Sequence, residues 1–203
     1  MNTRVTELED LVVTTGRATD PRMTFALLDE MFRLRHTVFN ERLGWDVSSK
    51  DGREQDEFDD CDPTYVIAAD ARTHRVVGCC RVLPTTGPYM LSKVFSQALK
   101  GADAPVNPRC WEISRLATAH GWHTTGRVGL GAIAVAVIAH AAQAIEDHQG
   151  DTIVALSSAG LERMIRRHVP TVRLDGGQCT LIGTVRCAAF TCSTAAWLTT
   201  PPR

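Results

Sequence analysis

The chain contains 203 residues, of which 44% are hydrophobic and 22% are charged. These fractions are typical of globular proteins with a sizeable core and exclude a low-complexity chain. The net charge of −1 excludes the strong basic field of nucleic-acid-binding proteins. No nucleic acid is therefore expected as a partner, and an anionic partner has to meet a local basic patch.

The seven cysteines are odd in number and include no CxxC pair. This pattern fits neither a disulfide framework nor a zinc site, so we expect free thiols in a reducing cytoplasm and no metal. Residues 1–10 mix charged and polar side chains, so no signal peptide is expected. The longest apolar run, 128–144, is short for a membrane span and predicts a buried helix.

The first 20 residues carry one β-like piece, Leu11–Val13, and are otherwise poorly determined. Asp20 and Pro21 then form a helix start, and apolar residues recur at helical spacing to about Glu41. Arg35 falls on the apolar stripe of this helix. We therefore expect it to be half-buried against a fixed partner, with an arginine that reaches past the core edge as the alternative.

Residues 45–63 predict a long loop, which inside a compact domain is usually a lid or a binding loop. From residue 54 onward the loop carries a run of six acids: Glu54, Asp56, Glu57, Asp59, Asp60 and Asp62. The acids lack the spacing of an EF-hand. They are either solvated or used to hold a cationic ligand.

The rest of the chain alternates between strand and helix patterns. The pieces are a hairpin at 64–69 and 76–83, a helix at 91–100, a strand around 111–116, a helix from Thr124–Gly126 to Gly150, a strand at 153–156, a helix capped by Ser157 and Ser158, and strands at 179–186 and 188–192. This alternation predicts one α/β domain over residues 1–203, with a mixed central sheet flanked by helices.

Two glycines at the start of the long helix, Gly129 and Gly131, match a dinucleotide-binding pattern together with Ala134. A glycine motif alone is a weak signal, and no acidic residue follows at the required distance, so a dinucleotide site is not expected. Glycines at a helix start can still present N–H groups to an anion or a carbonyl.

An acid, a hydroxyl and a base lie close together in the segment Trp111-Glu112-Ile113-Ser114-Arg115, which otherwise reads as a buried strand. Charges in such a strand are costly unless they are paired or used. On a regular strand Glu112 and Arg115 point to opposite faces, so they share a pocket only if a bulge or a strand end separates them. An ordinary strand whose charges pair elsewhere is the alternative.

Four basic residues form one compact face on the helix that follows Ser158: Arg163, Arg166, Arg167 and His168. Such a face is either solvated or a docking patch for an acidic protein.

Several separated blocks together resemble the LuxI-type acyl-homoserine lactone synthases. The blocks are Arg35–Phe39, Leu43–Trp45, Glu54–Asp59, Arg81–Leu91, Phe95 and Trp111–Arg115. The recurrent charged and aromatic positions of that family match in order and spacing as Arg35, Phe39, Trp45, Asp56, Asp59, Arg81, Phe95, Glu112 and Arg115. The likeness is close over about residues 25–120 and looser beyond. Two departures, Leu116 in place of a frequent phenylalanine and His168-Val169-Pro170 in place of an aromatic, concern the acyl pocket.

The resemblance implies a fold similar to the GNAT-type acyltransferases and a two-step reaction. An acyl chain, delivered as a thioester on acyl carrier protein, is joined to the amine of S-adenosylmethionine (SAM). Lactone closure then expels methylthioadenosine. SAM is a substrate in this scheme, and no cofactor is implied. A cytoplasmic monomer without membrane attachment is expected.

The resemblance also assigns roles to residues of this chain. Glu112 is the candidate general base, with a structural pairing to Arg115 as its alternative role. The catalytic group is Glu112, Arg115, Asp56 and Asp59; the SAM site is Arg35, Phe39, Trp45, Arg81 and Phe95; the acyl pocket is Ser114, Val154 and Leu116; and the carrier-docking face is Arg163, Arg166 and Arg167. In the family a threonine at the position of Val154 accompanies 3-oxo acyl groups, so an unsubstituted chain of medium length is predicted.

Two alternative functions stay open. A GNAT-type CoA-dependent N-acyltransferase usually has arginine or glutamine three residues before the first glycine of its phosphate loop, where this chain has Gly126. A non-catalytic protein that binds an acyl ligand or an acyl carrier has no need for two aspartates, Glu112 and Arg115 together.

Overall fold

A computed structural model describes residues 11–120, 131–169, 175–176 and 179–198. Four predictions lie outside these residues: the polar segment 1–10, the helix start at Thr124–Gly126, the glycine motif at Gly129, and Pro170 of the family departure. No helix in the described part of the chain is long and apolar enough to cross a membrane.

The described part contains ten strands and five α-helices. The strands are β1 (Leu11–Arg17), β2 (Ser49–Lys50), β3 (Arg53–Glu54), β4 (Thr64–Asp70), β5 (Val76–Pro84), β6 (Cys110–Thr118), β7 (Thr152–Ser158), β8 (Asp175–Gly176), β9 (Thr180–Ile182) and β10 (Val185–Ser193). The helices are α1 (Phe25–Arg35), α2 (Met90–Lys93), α3 (Ala132–Asp147), α4 (Ala159–His168) and α5 (Ala195–Leu198). A π-helical turn, His36–Arg42, continues α1, and 3₁₀ turns lie at Glu57–Asp60 and Ser96–Leu99.

The main sheet has the order β1-β4-β5-β6-β7-β10-β8, and β9 pairs with β10. Strands β6 and β7 run parallel, whereas the other described pairs are antiparallel. Helix α3 covers one face of the sheet, and α1 and α2 pack on the other face. The predicted α/β class, with a mixed sheet flanked by helices, is confirmed.

Helix α3 packs closely on β5 at Gly78. A Cβ atom at this position would lie 2.3 Å from Cγ2 of Ile133, so the missing side chain lets the helix approach the sheet. This contact contributes to the larger apolar core, in which Val77, Val137 and Ala141 are also buried.

Strands β6 and β7 separate soon after they meet. They pair only over Cys110–Glu112 and Thr152–Val154. Beyond these pairs β6 continues to Thr118 beside β5, and β7 continues to Ser158 beside β10. A gap therefore opens in the sheet directly after Glu112 and Val154.

A β-bulge interrupts β6 just past this point. Arg81 pairs with Ser114, but Cys79 pairs with Ala117, so β6 carries one more residue than β5 across this stretch. Arg115 takes a positive φ of 54°, which bends the strand and re-aims its side chain. Of the two features that would let Glu112 and Arg115 share a pocket, a bulge or a strand end, the bulge is present.

Three predicted boundaries were wrong. Helix α1 begins with Thr24 as its N-cap, because the Asp20 carboxylate instead accepts a hydrogen bond from the Arg22 backbone in a preceding turn. The predicted helix at 91–100 is two short turns, α2 and Ser96–Leu99. The two predicted C-terminal strands divide at Gly183, whose positive φ forms the turn between β9 and β10.

Candidate functional site

Arg35 lies at the end of α1 and is only 1% exposed. Its two terminal nitrogens donate to both carboxylate oxygens of Asp59, at 2.8 and 2.9 Å, and its Nε donates to Glu54 at 2.6 Å. This fork geometry matches a carboxylate in two places and fixes the guanidinium. Arg35 is thus fully buried rather than half-buried as predicted, because two carboxylates replace its water.

Arg81, on β5, extends the same set of ion pairs. Its Nη1 lies 2.9 Å from Oδ1 of Asp59, and Nη2 donates to Asp56 at 3.2 Å. Its Nε lies 3.3 Å from the hydroxyl oxygen of Ser114 on β6. Arg81 is 0% exposed, so each of its contacts is made away from bulk water.

Arg115 reaches the cluster from the bulge. Its Nε donates to Glu54 at 3.0 Å, and Nη2 lies 2.7 Å from Oδ2 of Asp56. The guanidinium also lies over the ring of Phe39, 5.3 Å from the ring centre, where a cation is attracted to the aromatic face.

The charged cluster therefore contains three arginines and three carboxylates, which balance in charge: Arg35, Arg81, Arg115, Glu54, Asp56 and Asp59. Within this cluster, Asp56 and Arg115 are the side chains with more than 1% exposure, 13% and 9%. The cluster thus meets solvent at this one pair.

Burial by itself raises the pKa of Asp59. The hydrogen bonds and charge of Arg35, together with the charge of Arg81, outweigh it and hold the pKa at about 2, below the ordinary 3.8. Asp59 also accepts a hydrogen bond from the Tyr65 hydroxyl at 2.9 Å. This carboxylate is therefore a fixed anion of the scaffold rather than a group that exchanges protons near neutral pH.

Glu112, on β6, is 2% exposed, and its carboxylate lies at the N-terminal end of α2. Its two oxygens accept hydrogen bonds from the backbone N–H groups of Met90, at 3.1 Å, and Leu91, at 2.7 Å. Burial raises the pKa of Glu112, while the two backbone hydrogen bonds and the Ser114 hydroxyl oppose the shift. The alternative role of Glu112 as the partner of Arg115 was wrong, because the carboxylate partners of Arg115 are Glu54 and Asp56.

Two of the three predicted aromatic residues lie beside the charged cluster. Phe39 is buried and stacks on the half-buried Trp45, with ring centres 5.5 Å apart and planes 19° apart. Together they form a flat apolar surface next to Asp56 and Arg115, the pair through which the cluster meets solvent. Phe95 lies apart from them, in an apolar cluster that includes Met90 and Leu91.

The three acyl-pocket residues do not come together. Val154 is buried in the cluster that also contains Phe95. Leu116 packs instead on the opposite face of the sheet, in the core beneath α3, because the bulge at Arg115 shifts the alternation of β6 by one residue. Ser114 lies between Arg81 and Glu112, where it belongs to the polar site.

The three arginines of the predicted docking face all lie on α4 and are exposed. Arg166 forms an ion pair with Glu162 one turn earlier, at 2.9 Å. Arg163 differs from the other two, because it lines a cavity.

The sequence interpretation assigned no role to Glu54. This carboxylate is 0% exposed and joins Arg35 to Arg115. The acidic run gave no signal that would separate Glu54 from its solvated neighbours. Met90 was missed as well, and its sulfur lies 3.2 Å from Nη1 of Arg115.

All seven cysteines are free thiols. Burial raises the pKa of Cys79 to about 12, so this thiol stays protonated. Within the described ranges, no group of three or more His, Cys, Asp or Glu side chains is arranged to hold a metal ion.

Known proteins are similar to this chain in sequence and in fold. A family model described as Autoinducer synthase matches residues 21–194. An acyl-homoserine-lactone synthase of Pseudomonas aeruginosa is 39% identical over 142 residues, which make up 70% of this chain and 70% of that protein.

Solved structures agree with these relatives. The AHL synthase LasI superposes with a TM-score of 0.79 at 33% identity, covering 91% of this chain and 90% of that chain. The CoA-dependent acyl-homoserine lactone synthase BjaI, solved with SAM and isopentyl-CoA, gives 0.78 at 26% identity, with coverages of 93% and 86%. A Lactobacillus plantarum protein described as an N-acetyltransferase gives 0.57 at 11% identity, with coverages of 91% and 98%. This last likeness shows the fold alone and confirms the predicted similarity to GNAT-type acyltransferases.

Proposed function

Because the chain belongs to the autoinducer synthase family, we propose that it is an acyl-homoserine lactone synthase with acyl carrier protein as its acyl donor. It joins the acyl group to the amine of SAM, closes the lactone and releases methylthioadenosine. The observation that supports this most is the placement of Glu112, a buried carboxylate held by backbone N–H groups at the edge of the gap between β6 and β7.

SAM carries an ammonium, a carboxylate and a sulfonium, so its site needs both acids and bases. Asp56 and Arg115, the pair through which the charged cluster meets solvent, offer one of each. Part of this ion pair can be exchanged for the ammonium and carboxylate of SAM, while the buried ion pairs of the charged cluster hold both side chains in place. The stacked rings of Phe39 and Trp45 can pack on the adenosine and face the sulfonium.

Glu112 removes a proton from the ammonium of SAM, directly or through a water. Its two oxygens accept two backbone hydrogen bonds and one from the Ser114 hydroxyl, which leaves one of their four lone pairs for this proton. The freed amine attacks the thioester carbonyl, and the donor thiolate leaves and takes up a proton. A carboxylate oxygen of the SAM-derived chain then attacks the γ-carbon, which is bonded to the sulfonium sulfur; the carbon–sulfur bond breaks, methylthioadenosine leaves and the lactone ring is closed. The strand edges that face each other across the gap supply N–H groups for the oxyanion.

A product assay with purified protein tests this function. SAM is mixed with acyl carrier proteins of different chain lengths, and with the matching acyl-CoA thioesters, and both products are followed by mass spectrometry. Lactone and methylthioadenosine in equal amounts are expected with a carrier-bound donor. Acyl transfer without methylthioadenosine contradicts the lactone step. Turnover with acyl-CoA alone contradicts the carrier protein as donor and identifies acyl-CoA instead, the type of donor named for the CoA-dependent synthase BjaI.

The variant Glu112→Gln tests the proposed base. It keeps the size of the side chain but removes the proton acceptor, so kcat is expected to fall by about 10²–10⁴-fold. Circular dichroism and SAM affinity serve as controls and should stay near those of the parent chain. Unchanged turnover contradicts the base role, and a protein that only binds acyl ligands would be indifferent to the change.

The acyl chain is proposed to be unsubstituted and of medium length, because Val154 is buried and cannot donate a hydrogen bond to a 3-oxo group. The variant Val154→Thr is expected to gain activity on 3-oxo acyl carriers relative to unsubstituted ones, measured as a ratio of kcat/KM. An unchanged ratio contradicts this assignment.

A carrier protein as donor needs a docking surface on this chain. We propose that the exposed α4 arginines, among them Arg166 and Arg167, dock the acidic acyl carrier protein, with an affinity that weakens in salt. The lactone would serve as a quorum-sensing signal made by a cytoplasmic monomer. Sedimentation at working concentration checks the monomer.

A further inference from the structure

A cavity of about 510 Å³ lies at the far end of β7, where that strand meets α4. Two arginines from different elements line it, Arg163 of α4 and Arg186 of β10. The rest of its wall is Ser158, Ala159, Gly160, Cys179, Thr184 and Val185. No carboxylate is among these eight residues, so the described part of the wall carries two positive charges and no negative one.

Neither Arg163 nor Arg186 forms an ion pair within the described residues, in contrast to Arg166 and its partner Glu162. The Ser158 hydroxyl accepts a hydrogen bond from the Leu161 backbone at 3.2 Å, which leaves its own proton for a ligand. Two guanidinium groups and a hydroxyl donor suit an oxyanion with several acceptor oxygens, above all a phosphate.

The position of the cavity indicates which phosphate it suits. Val154 pairs with Glu112 at the point where the sheet opens, and Ser158 lies four residues further along β7. At about 3.3 Å per residue, the cavity begins about 13 Å from the proposed reaction centre. An extended pantetheine arm, which carries the acyl thioester at one end and a phosphate ester at the other, spans a separation of this size.

We propose that Arg163 and Arg186 bind the phosphate ester at the end of the pantetheine arm of the acyl donor. This inference rests on the proposed function, because it takes a pantetheine thioester as the donor. It assigns Arg163 to the arm rather than to the protein surface of the carrier, and it adds Arg186 to the site. The phosphate is either the phosphodiester on a carrier protein or a phosphate of CoA, since both present the same chemistry.

A binding experiment without any acyl group tests the site directly. Calorimetry compares pantetheine 4′-phosphate with pantetheine on the parent chain, Arg163→Gln, Arg186→Gln and the surface control Arg75→Gln. The parent chain and the control should prefer the phosphorylated compound by about tenfold or more, and each cavity variant should lose most of that preference. Equal affinity of the parent chain for the two compounds overturns the proposal.

Kinetics then distinguish the source of the phosphate. For each cavity variant, KM is expected to rise about tenfold with a phosphate-bearing donor and to stay unchanged with acyl-pantetheine, while kcat is kept. A rise with acyl carrier protein identifies the phosphodiester, and a rise with acyl-CoA identifies the CoA phosphate. An equal rise with acyl-pantetheine overturns the phosphate assignment. Absence of lactone from the parent chain with every donor would instead contradict the proposed function, even where the phosphate preference in calorimetry persists.

Discussion

Glu54 connects two arginines that come from opposite sides of the site. One oxygen accepts from Arg35 at the end of α1, and the other accepts from Arg115 in the β6 bulge. Because the carboxylate is fully buried, its loss would leave two guanidinium groups short of an anion in a dry environment. Removal of one partner from such an arrangement costs far more than an exposed ion pair is worth.

The variant Glu54→Gln is therefore expected to destabilise the fold by about 3–5 kcal/mol and to raise KM for SAM more than it lowers kcat, since Arg115 loses its anchor. Denaturant unfolding and steady-state kinetics measure the two effects. Glu57→Gln is the matched control, because Glu57 lies on the same loop and is exposed. Equal behaviour of the two variants would mean that Glu54 does not position Arg115.

At the scale of single residues, the sequence predicted some partners and missed others. The position of Arg35 on an apolar stripe predicted half-burial with a fixed partner, and the partner is present although the burial is complete. The alternation of side chains along a strand likewise gave the condition under which Glu112 and Arg115 share a pocket, a bulge or a strand end between them, and the bulge is what the fold contains. Neither pattern identified Glu54, because the six acids of the run from Glu54 to Asp62 look alike in sequence, and only the fold determines which of them face inward.

The loop between Trp45 and Pro63 supplies every carboxylate of the charged cluster, whereas α1, β5 and β6 supply the arginines. The loop is thus attached to the scaffold by ion pairs, with Phe58 as its buried apolar contact beneath Arg81. It contains the β2–β3 hairpin and a 3₁₀ turn, with Asp56 as cap of that turn. Its attachment depends on carboxylates that stay ionised.

Acid should therefore weaken this attachment. The pKa of Asp59 is lowered from 3.8 in the unfolded chain to about 2 in the fold. The ionised group thus stabilises the fold fully above pH 3.8, and this contribution, about 2 kcal/mol, is lost as the pH falls towards 2. Urea unfolding between pH 5 and about pH 2 measures the loss, and carbon NMR of the Asp59 carboxyl gives the pKa itself.

Asp60→Asn provides the comparison, because Asp60 is exposed on the same turn and should keep the acid dependence of the parent chain. Asp59→Asn should show a flatter dependence over the same range. An Asp59 carboxyl that titrates near 3.8 would contradict the buried ion pairs on which the argument depends.

Element boundaries were the weaker part of the sequence prediction. Asp20 and Pro21 have the composition of a helix start, but local hydrogen bonding to Arg22 forms a turn there instead. The carboxylate of an aspartate serves either structure equally well. Composition alone therefore does not determine where α1 begins.

On the scale of the whole molecule, the alternation of strand and helix patterns predicted the α/β class, because burial on sheet faces and helix stripes leaves clear periodicities. Such patterns do not predict the order of the strands in the sheet. Which strands become neighbours depends on contacts far apart in sequence, such as the parallel register of β6 and β7. The gap that this register creates, and the cavity beside Arg186, had no local signal.

The bulge in β6 positions the side chains of the site but is not needed for the pairing of the strands. The pairs Arg81–Ser114 and Cys79–Ala117 flank the extra residue, so a chain shortened by one codon at Leu116 would close into a regular ladder. Its core strands would keep their partners, yet Arg115 would turn to the face opposite Glu112. Loss of one residue from β6 is therefore expected to leave a regular sheet while it removes the geometry of the site. The length of this strand, and not only its side chains, determines whether the folded protein can be active.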